Sequence, residues 1–130
     1  MVREYAEAVA HFSVSSYSKL VNQAVSYISR HILSKINSEA LAESLYVSSG
    51  HLSRQFKKET GKTIPEYVNW QRIEMAKVFL QENDADITEL AIRLGYQESS
   101  YFSKVFRQIA GMSPRQYVNE CRNGRKQEEE

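Results

Sequence analysis

The chain has 130 residues, a formal net charge of +1 from 17 Lys and Arg against 16 Asp and Glu, and one cysteine. That length holds one compact domain or two very small subdomains, and the lone Cys121, with no Cys/His cluster around it, gives no footing to a disulfide, redox chemistry or structural zinc. No run of apolar residues is long enough to span a membrane, and the first ten residues lack the basic start and apolar middle of a signal peptide, so a cytoplasmic protein is expected.

Divided along the chain, the charge is less even. Residues 1–16 carry −1 and Glu128, Glu129 and Glu130 carry −3, which leaves +5 for residues 17–127. An excess of this size permits nucleic-acid binding, and whether the basic residues share a face decides its meaning.

Two prolines and five glycines occur, and apolar residues recur at spacings of three and four, so an all-α chain of about seven helices and no strand is expected. Residues 1–16 read as an N-terminal extension or the remnant of an interdomain linker. A first long helix is placed at about 18–32 on Leu20, Val21, Ala24, Val25, Tyr27, Ile28 and Ile32. Ser38 reads as the N-cap of a short helix ending near Tyr46. Another helix follows Ser48 and stops at Gly61, where glycine accepts the left-handed conformation.

With Pro65 in its first turn, a long helix is expected over about 64–81 through Tyr67, Val68, Ile73, Ala76, Val78, Phe79 and Leu80. The polar ENDAD follows, and Asp86 reads as the cap of a helix over 87–94. Gly95 marks a turn, a helix covers 99–110, and Ser113-Pro114 opens a last short helix. Residues 123–130, without an apolar side chain, read as a disordered acidic tail.

The chain repeats itself at an offset of 50. Leu52 matches Phe102, Ser53 matches Ser103, Arg54 matches Lys104, Phe56 matches Phe106, Lys57 matches Arg107 and Gly61 matches Gly111. Earlier in each unit the offset is 49, pairing Leu41, Ala42 and Leu45 with Leu90, Ala91 and Leu94. Each unit is a short helix, a tight turn and a longer helix, the outline of a helix-turn-helix, at about 38–61 and about 86–111.

Successive helical residues rotate by about 100°, which puts Leu52 and Phe56 on one stripe and the common direction of Gly50, Ser53, Arg54 and Lys57 more than about 100° away. The second unit gives Phe102, Phe106 and Ile109 as its buried stripe and Ser100, Ser103, Lys104 and Arg107 as its outward one. A basic outward face on one helix is ordinary solvated surface. Two helices with the same serine-then-basic pair, a further basic residue three positions on and no interleaved acid point to a surface for DNA.

The stretches LAESLYVSSGHLSRQFKKETGKTIPEYVNWQRIEMAKVFLQ and ITELAIRLGYQESSYFSKVFRQIAGMSPRQYV resemble the two halves of the C-terminal DNA-binding domain of the AraC/XylS family of transcription regulators. The second, with its Ala-x-x-x-Gly-Tyr turn, Phe-Ser-Lys-x-Phe-Arg and Gly-x-Ser-Pro-x-x-Tyr, is close to the family signature. The resemblance covers about residues 17–118 within a domain drawn at 17–122.

It implies two helix-turn-helix subdomains joined by the long helix, each placing its recognition helix in a major groove of double-stranded DNA. Base-facing positions carried over are Gly50, Ser53 and Arg54 in the first unit and Ser99, Ser100, Ser103 and Lys104 in the second. Gly50 departs from the larger side chains of relatives. Lys57, Lys58 and Arg107 are expected on phosphates, with His51 near another. The family further implies an activator that touches RNA polymerase and an N-terminal effector or receiver domain beyond this chain.

Other residues draw weaker readings. His11, His31 and His51 share no metal-ligand spacing, so no metal or cofactor is expected, and Tyr67, Tyr96, Tyr101 and Tyr117 fit packing positions of the repeat. No nucleophile elbow, phosphate loop or carboxylate pair supports an enzyme. The rival from another class is an all-helical protein-interaction module that has lost DNA binding.

Overall fold

Periodic apolar residues become seven α-helices, with no strand, among residues 16–82 and 86–129 that the computed structural model of the chain describes. The helices are α1 (Lys19–Arg30), α2 (Ser38–Ser44), α3 (Ser49–Thr60), α4 (Ile64–Glu82), α5 (Ile87–Arg93), α6 (Ser99–Ala110) and α7 (Pro114–Glu129). The expected N-terminal extension, apart from Ser16, and residues 83–85 of the polar break lie outside the described residues. No described helix is long and apolar enough to cross a membrane.

Local chemistry explains most boundaries. The Ser18 hydroxyl accepts from the Val21 amide to start α1, and Asp86 accepts from the amides of Thr88 and Glu89 to start α5. The cap of α2 is Asn37 and not Ser38. Its side-chain oxygen accepts from the amides of Glu39 and Ala40 while its own backbone is extended, and Ser38 is already helical. Gly61 and Gly111 end α3 and α6 at φ of 80° and 83°. The last helix continues to Glu129, past the point where composition pointed to fraying. Arg, Lys, Gln and Glu are strong helix formers, and Gly124 alone does not stop it.

The chain divides into two compact units. One holds α1, α2, α3 and the start of α4 as far as Tyr67, and the other holds Ile32–Lys35 and the chain from Val68 onward. In the first, Val21, Ala24 and Ile28 of α1, Leu41 and Ala42 of α2 and Leu52 and Phe56 of α3 are buried. The Phe56 ring meets Tyr67 edge-on, at 5.3 Å between centroids. Burial of each large apolar side chain stabilises by about 1.5–3 kcal/mol relative to leaving it in water.

The second unit packs Ile73, Ala76 and Leu80 of α4, Leu90 and Ala91 of α5, then Leu94 and Tyr96, against Phe102, Val105 and Phe106 of α6. Two expectations, those for Ile109 and Tyr101, fail here. Val78 and Phe79 are 52% and 41% exposed, because Ile73, Ala76 and Leu80 form the inward stripe and leave the residues beside it outside. Ile109 is 36% exposed although it lies in the Phe102–Phe106 direction, since α6 ends one residue later. Tyr101 is half exposed, with only its ring edge near Tyr96.

Both helix-turn-helix turns are closed by the same pair of backbone hydrogen bonds. Val47 donates to Ala42 and Tyr46 to Glu43 in the first, and Tyr96 donates to Ala91 and Gly95 to Ile92 in the second. This is the Schellman arrangement, whose residue after the cap is left-handed. Gly95 fills that position at φ 93°, whereas Tyr46 is forced to φ 60°.

Beneath the second turn lies Arg72, 7% exposed on α4 and missed by the sequence reading. Its Nε donates to the Ile32 carbonyl at 2.9 Å and its Nη2 to the Ser34 carbonyl at 2.6 Å. The guanidinium stands 5.3 Å from the Tyr96 ring centroid. A Cβ on Gly95 would come within 2.9 Å of Nη2, so that glycine is required by space as well as by φ.

Four substitutions check this account by denaturant unfolding. Tyr46→Gly should raise stability by about 1 kcal/mol, because Tyr46 is 95% exposed and gives up strain without losing contacts. Gly95→Ala should destabilise by more than that, through φ and the clash with Arg72. Arg72→Met should destabilise by about 2–4 kcal/mol by stranding two carbonyls, and Arg72→Lys should recover little, since an ammonium lacks the planar fork.

Candidate nucleic-acid interface

The repeated outward face is built on α3 and α6. In α3, the buried Leu52 and Phe56 hold the helix against its unit and turn Gly50, His51, Ser53, Arg54, Lys57 and Lys58 into solvent. In α6, the buried Phe102 and Phe106 leave Ser100, Lys104 and Arg107 exposed, while Ser99 and Ser103 are half-buried. The second face therefore offers its serines from a shallower level than the first.

The two helices also begin differently. Ser48 caps α3, its hydroxyl accepting from the His51 amide at 3.2 Å, so His51 contributes its backbone to the cap and leaves its ring free of that task. Glu98 stands at the cap of α6 and makes no side-chain capping bond. The first amides of α6 are thus left for an outside acceptor or for water.

Lys57 and Lys58 lie in the last turn of α3 and Arg107 in that of α6, where cations are stabilised by the helix dipole without any ligand. Dipole and ligand roles are compatible, because each side chain is exposed. One acid in their neighbourhood is already engaged. Glu59 accepts from the Ser18 amide at 2.6 Å, from the Ser18 hydroxyl at 2.8 Å and from the Gln55 side-chain amide. Slight burial pushes its carboxyl up, and these three hydrogen bonds with the nearby Lys58 outweigh that and hold it below the usual carboxylate value.

Around Arg54 the structure adds residues that periodicity could not place. Ser53, Arg54, Lys57 and Lys58 form one side of an open recess of about 520 Å³, and Thr63, Ile64 and Pro65 at the start of α4 form the other. Chain reversal at Gly61 brings these sides together. Among the described residues Arg54 has no hydrogen-bond or ion-pair partner, and its Nη1 lies 3.2 Å from where a Cβ on Gly50 would stand.

A second recess, of about 530 Å³, opens beside the turn before α6. Lys35, Asn69, Arg72, Tyr96, Glu98 and Tyr101 are among its walls. Burial pulls the Arg72 guanidinium down from its ordinary range, and burial pushes the Tyr96 phenol up to about 12. That phenol donates to the Asn69 side-chain oxygen at 2.8 Å, so both groups are tied into the fold.

The remaining titratable residues draw together no chemistry. His31 packs its ring on Tyr27 at 4.4 Å between centroids. Among the described residues no three of His, Cys, Asp and Glu cluster as metal ligands would, and Cys121 is a half-buried free thiol.

Because the bound carboxylate of Glu59 is favoured in the folded chain, its contribution is complete above the unfolded carboxyl value near 4.5 and is lost as pH falls below it. Urea midpoints measured from about pH 6 to about pH 3 should fall less steeply for Glu59→Gln than for the unaltered chain. Equal slopes would show that the Ser18 contact carries no linkage.

Comparison with known proteins bears on the fold and the family. Residues 41–120 match a family model described as a helix-turn-helix domain. The chain is 34% identical over 110 residues to the HTH-type transcriptional activator RhaS of Escherichia coli O139:H28, covering 85% of this chain and 39% of that protein. It thus spans about two fifths of the length of this curated relative.

Two solved structures are similar. The C-terminal domain of AraT, a response regulator from Geobacillus stearothermophilus, matches at a TM-score of 0.77 and 35% identity over 81% of this chain and 88% of that one. The DNA-binding domain of the global transcriptional factor AdpA, solved in complex with a target DNA, matches at a TM-score of 0.77 and 27% identity over 85% and 99%. The three are a transcriptional activator, a response-regulator domain and a transcription-factor domain, and the chain belongs to the AraC/XylS family of transcription regulators, matching their C-terminal DNA-binding domain.

Proposed function

We propose that the chain binds specific double-stranded DNA as the reading part of a transcription activator, with α3 and α6 entering successive major grooves. The observation that carries this is the duplicated face. Ser53, Arg54 and Lys57 recur as Ser103, Lys104 and Arg107, with every basic member exposed above a buried Leu or Phe stripe. Duplicated packing alone would repeat Leu52, Phe56 and Gly61 as Phe102, Phe106 and Gly111 and would leave the outward residues free to differ. AdpA, a similar domain solved with its target DNA, supports the same reading.

Within this reading the residues divide by task. Gly50, Ser53 and Arg54 on α3, and Ser99, Ser100, Ser103 and Lys104 on α6, face base edges. Arg54 carries the strongest discrimination, since a guanidinium can donate twice to guanine. Lys57, Lys58, Arg107 and His51 hold phosphates, which sets affinity and register without reading sequence. The uncapped start of α6 suits a phosphate as well. RhaS is named an activator, and activation here implies a contact with RNA polymerase and a signal-sensing domain N-terminal to this one.

Selection of bound sequences from random duplex DNA tests the proposal. A bipartite motif with half-sites about one helical turn, roughly 34 Å, apart is expected. Arg54→Ala should erase one guanine preference, about 1–3 kcal/mol. Lys57→Ala should weaken all sequences alike and make the plot of log K against log salt shallower by about 0.9. Failure to recover a motif from a folded chain would leave the protein-interaction module as the better account.

A further inference from the structure

Gly50 is the one glycine of α3, and no conformational need explains it. The left-handed glycines are Gly61, Gly95 and Gly111, whereas Gly50 has ordinary helical backbone and sits on the exposed face, where no neighbouring element presses on it. Gly50 is the second residue of α3, and a glycine within a helix gives it less stability than alanine would. The space above Gly50 is nevertheless used. A Cβ there would stand 3.2 Å from Arg54 Nη1, tighter than ordinary contact, and 4.0 Å from Arg54 Cζ, an ordinary one.

The guanidinium therefore lies over the bare backbone one turn toward the N-terminus of α3, the direction in which a side chain at i+4 leans. In α6 the corresponding pair is Ser100 and Lys104. A side chain fills the space there, and the cation is a point charge without a fork.

We propose that Gly50 is a specificity determinant by absence: it leaves open the part of the α3 face into which the Arg54 guanidinium extends. One arginine then addresses the base pair that a side chain at position 50 would otherwise meet. The inference rests on the DNA reading of α3 and adds to it a division of labour. Position 54 supplies the hydrogen-bond donors, and position 50 decides which base pair they reach. Gly50 acts as a positioning residue for Arg54 and donates nothing to a base itself. The first half-site should accordingly carry a guanine preference whose place in the motif depends on residue 50.

Selection from random duplex DNA with the full chain, run in parallel for the unaltered protein, Gly50→Ala, Gly50→Ser and Arg54→Ala, tests this. Gly50→Ala should raise the melting temperature and still lower enrichment of the Arg54-dependent guanine by about tenfold, or move it to a neighbouring base pair. Gly50→Ser, which copies α6, should do the same. A helix-stability role alone would raise the melting temperature and leave the motif untouched. If Gly50→Ala and Gly50→Ser select the unaltered motif at unaltered enrichment while Arg54→Ala loses the guanine, the inference about Gly50 is overturned and the DNA reading stands. If the unaltered chain binds no duplex, or Arg54→Ala changes no base preference, the base-reading assignment falls first and takes the inference with it.

Discussion

Among the described residues one buried cation organises the turn ahead of α6. Arg72 is removed from water almost completely, and that removal is tolerable because two backbone carbonyls, those of Ile32 and Ser34, accept from it and the Tyr96 ring faces it. The same carbonyls belong to the short stretch between α1 and α2, which forms part of that unit. Gly95 must lack a side chain to let the guanidinium approach, Tyr96 must be large enough to face it, and Asn69 must accept from the Tyr96 phenol. The turn ahead of α6 is therefore shaped from below by one arginine on α4, and the base-facing candidates Ser99 and Ser100 begin where that turn ends.

The first unit solves the same problem without an arginine. Its turn uses identical backbone hydrogen bonds but carries Tyr46 where the second has Gly95, and it accepts a left-handed tyrosine with almost no contacts in return. Its α3 helix is held instead at both ends by polar groups. Ser48 caps the start, and near the finish Glu59 receives Ser18 and Gln55. Position 59 corresponds to 109 in the repeat, where the second unit has a partly exposed isoleucine. In the first unit this corner is covered by the start of α1, so a polar residue that bonds Ser18 belongs there. The repeat is thus one of backbone and core, on which each unit has built its own supports.

Those supports leave the outward face unencumbered. Arg54 has no internal partner among the described residues, Lys57 and Lys58 sit where the helix dipole already favours them, and the acid within reach is committed to Ser18. A face whose cations are not spent on the protein's own carboxylates keeps its charge for a polyanion. The half-buried Ser99 and Ser103 give α6 a flatter and less fork-like surface than α3, so the two faces share a pattern and differ in chemistry.

The sequence by itself determined the helices, the repeat, the two stopping glycines and the directions in which Leu52, Phe56, Arg54 and Lys104 point, because period, capping and left-handed turns are local properties written in adjacent residues. It did not show that Asn37 caps in place of Ser38, since two good caps stood side by side and only backbone geometry chose between them. Nor could it show that Val78, Phe79 and Ile109 stay outside, because a helical wheel gives a direction and says nothing of whether another element lies opposite. The burial of Arg72, the Ser18–Glu59 contact, the wall that Thr63–Pro65 sets beside Arg54 and the place of its guanidinium over Gly50 were decided by tertiary structure alone. The first three join residues distant in sequence or brought together by a chain reversal, and the last depends on which conformer a long side chain adopts once its neighbours are in place.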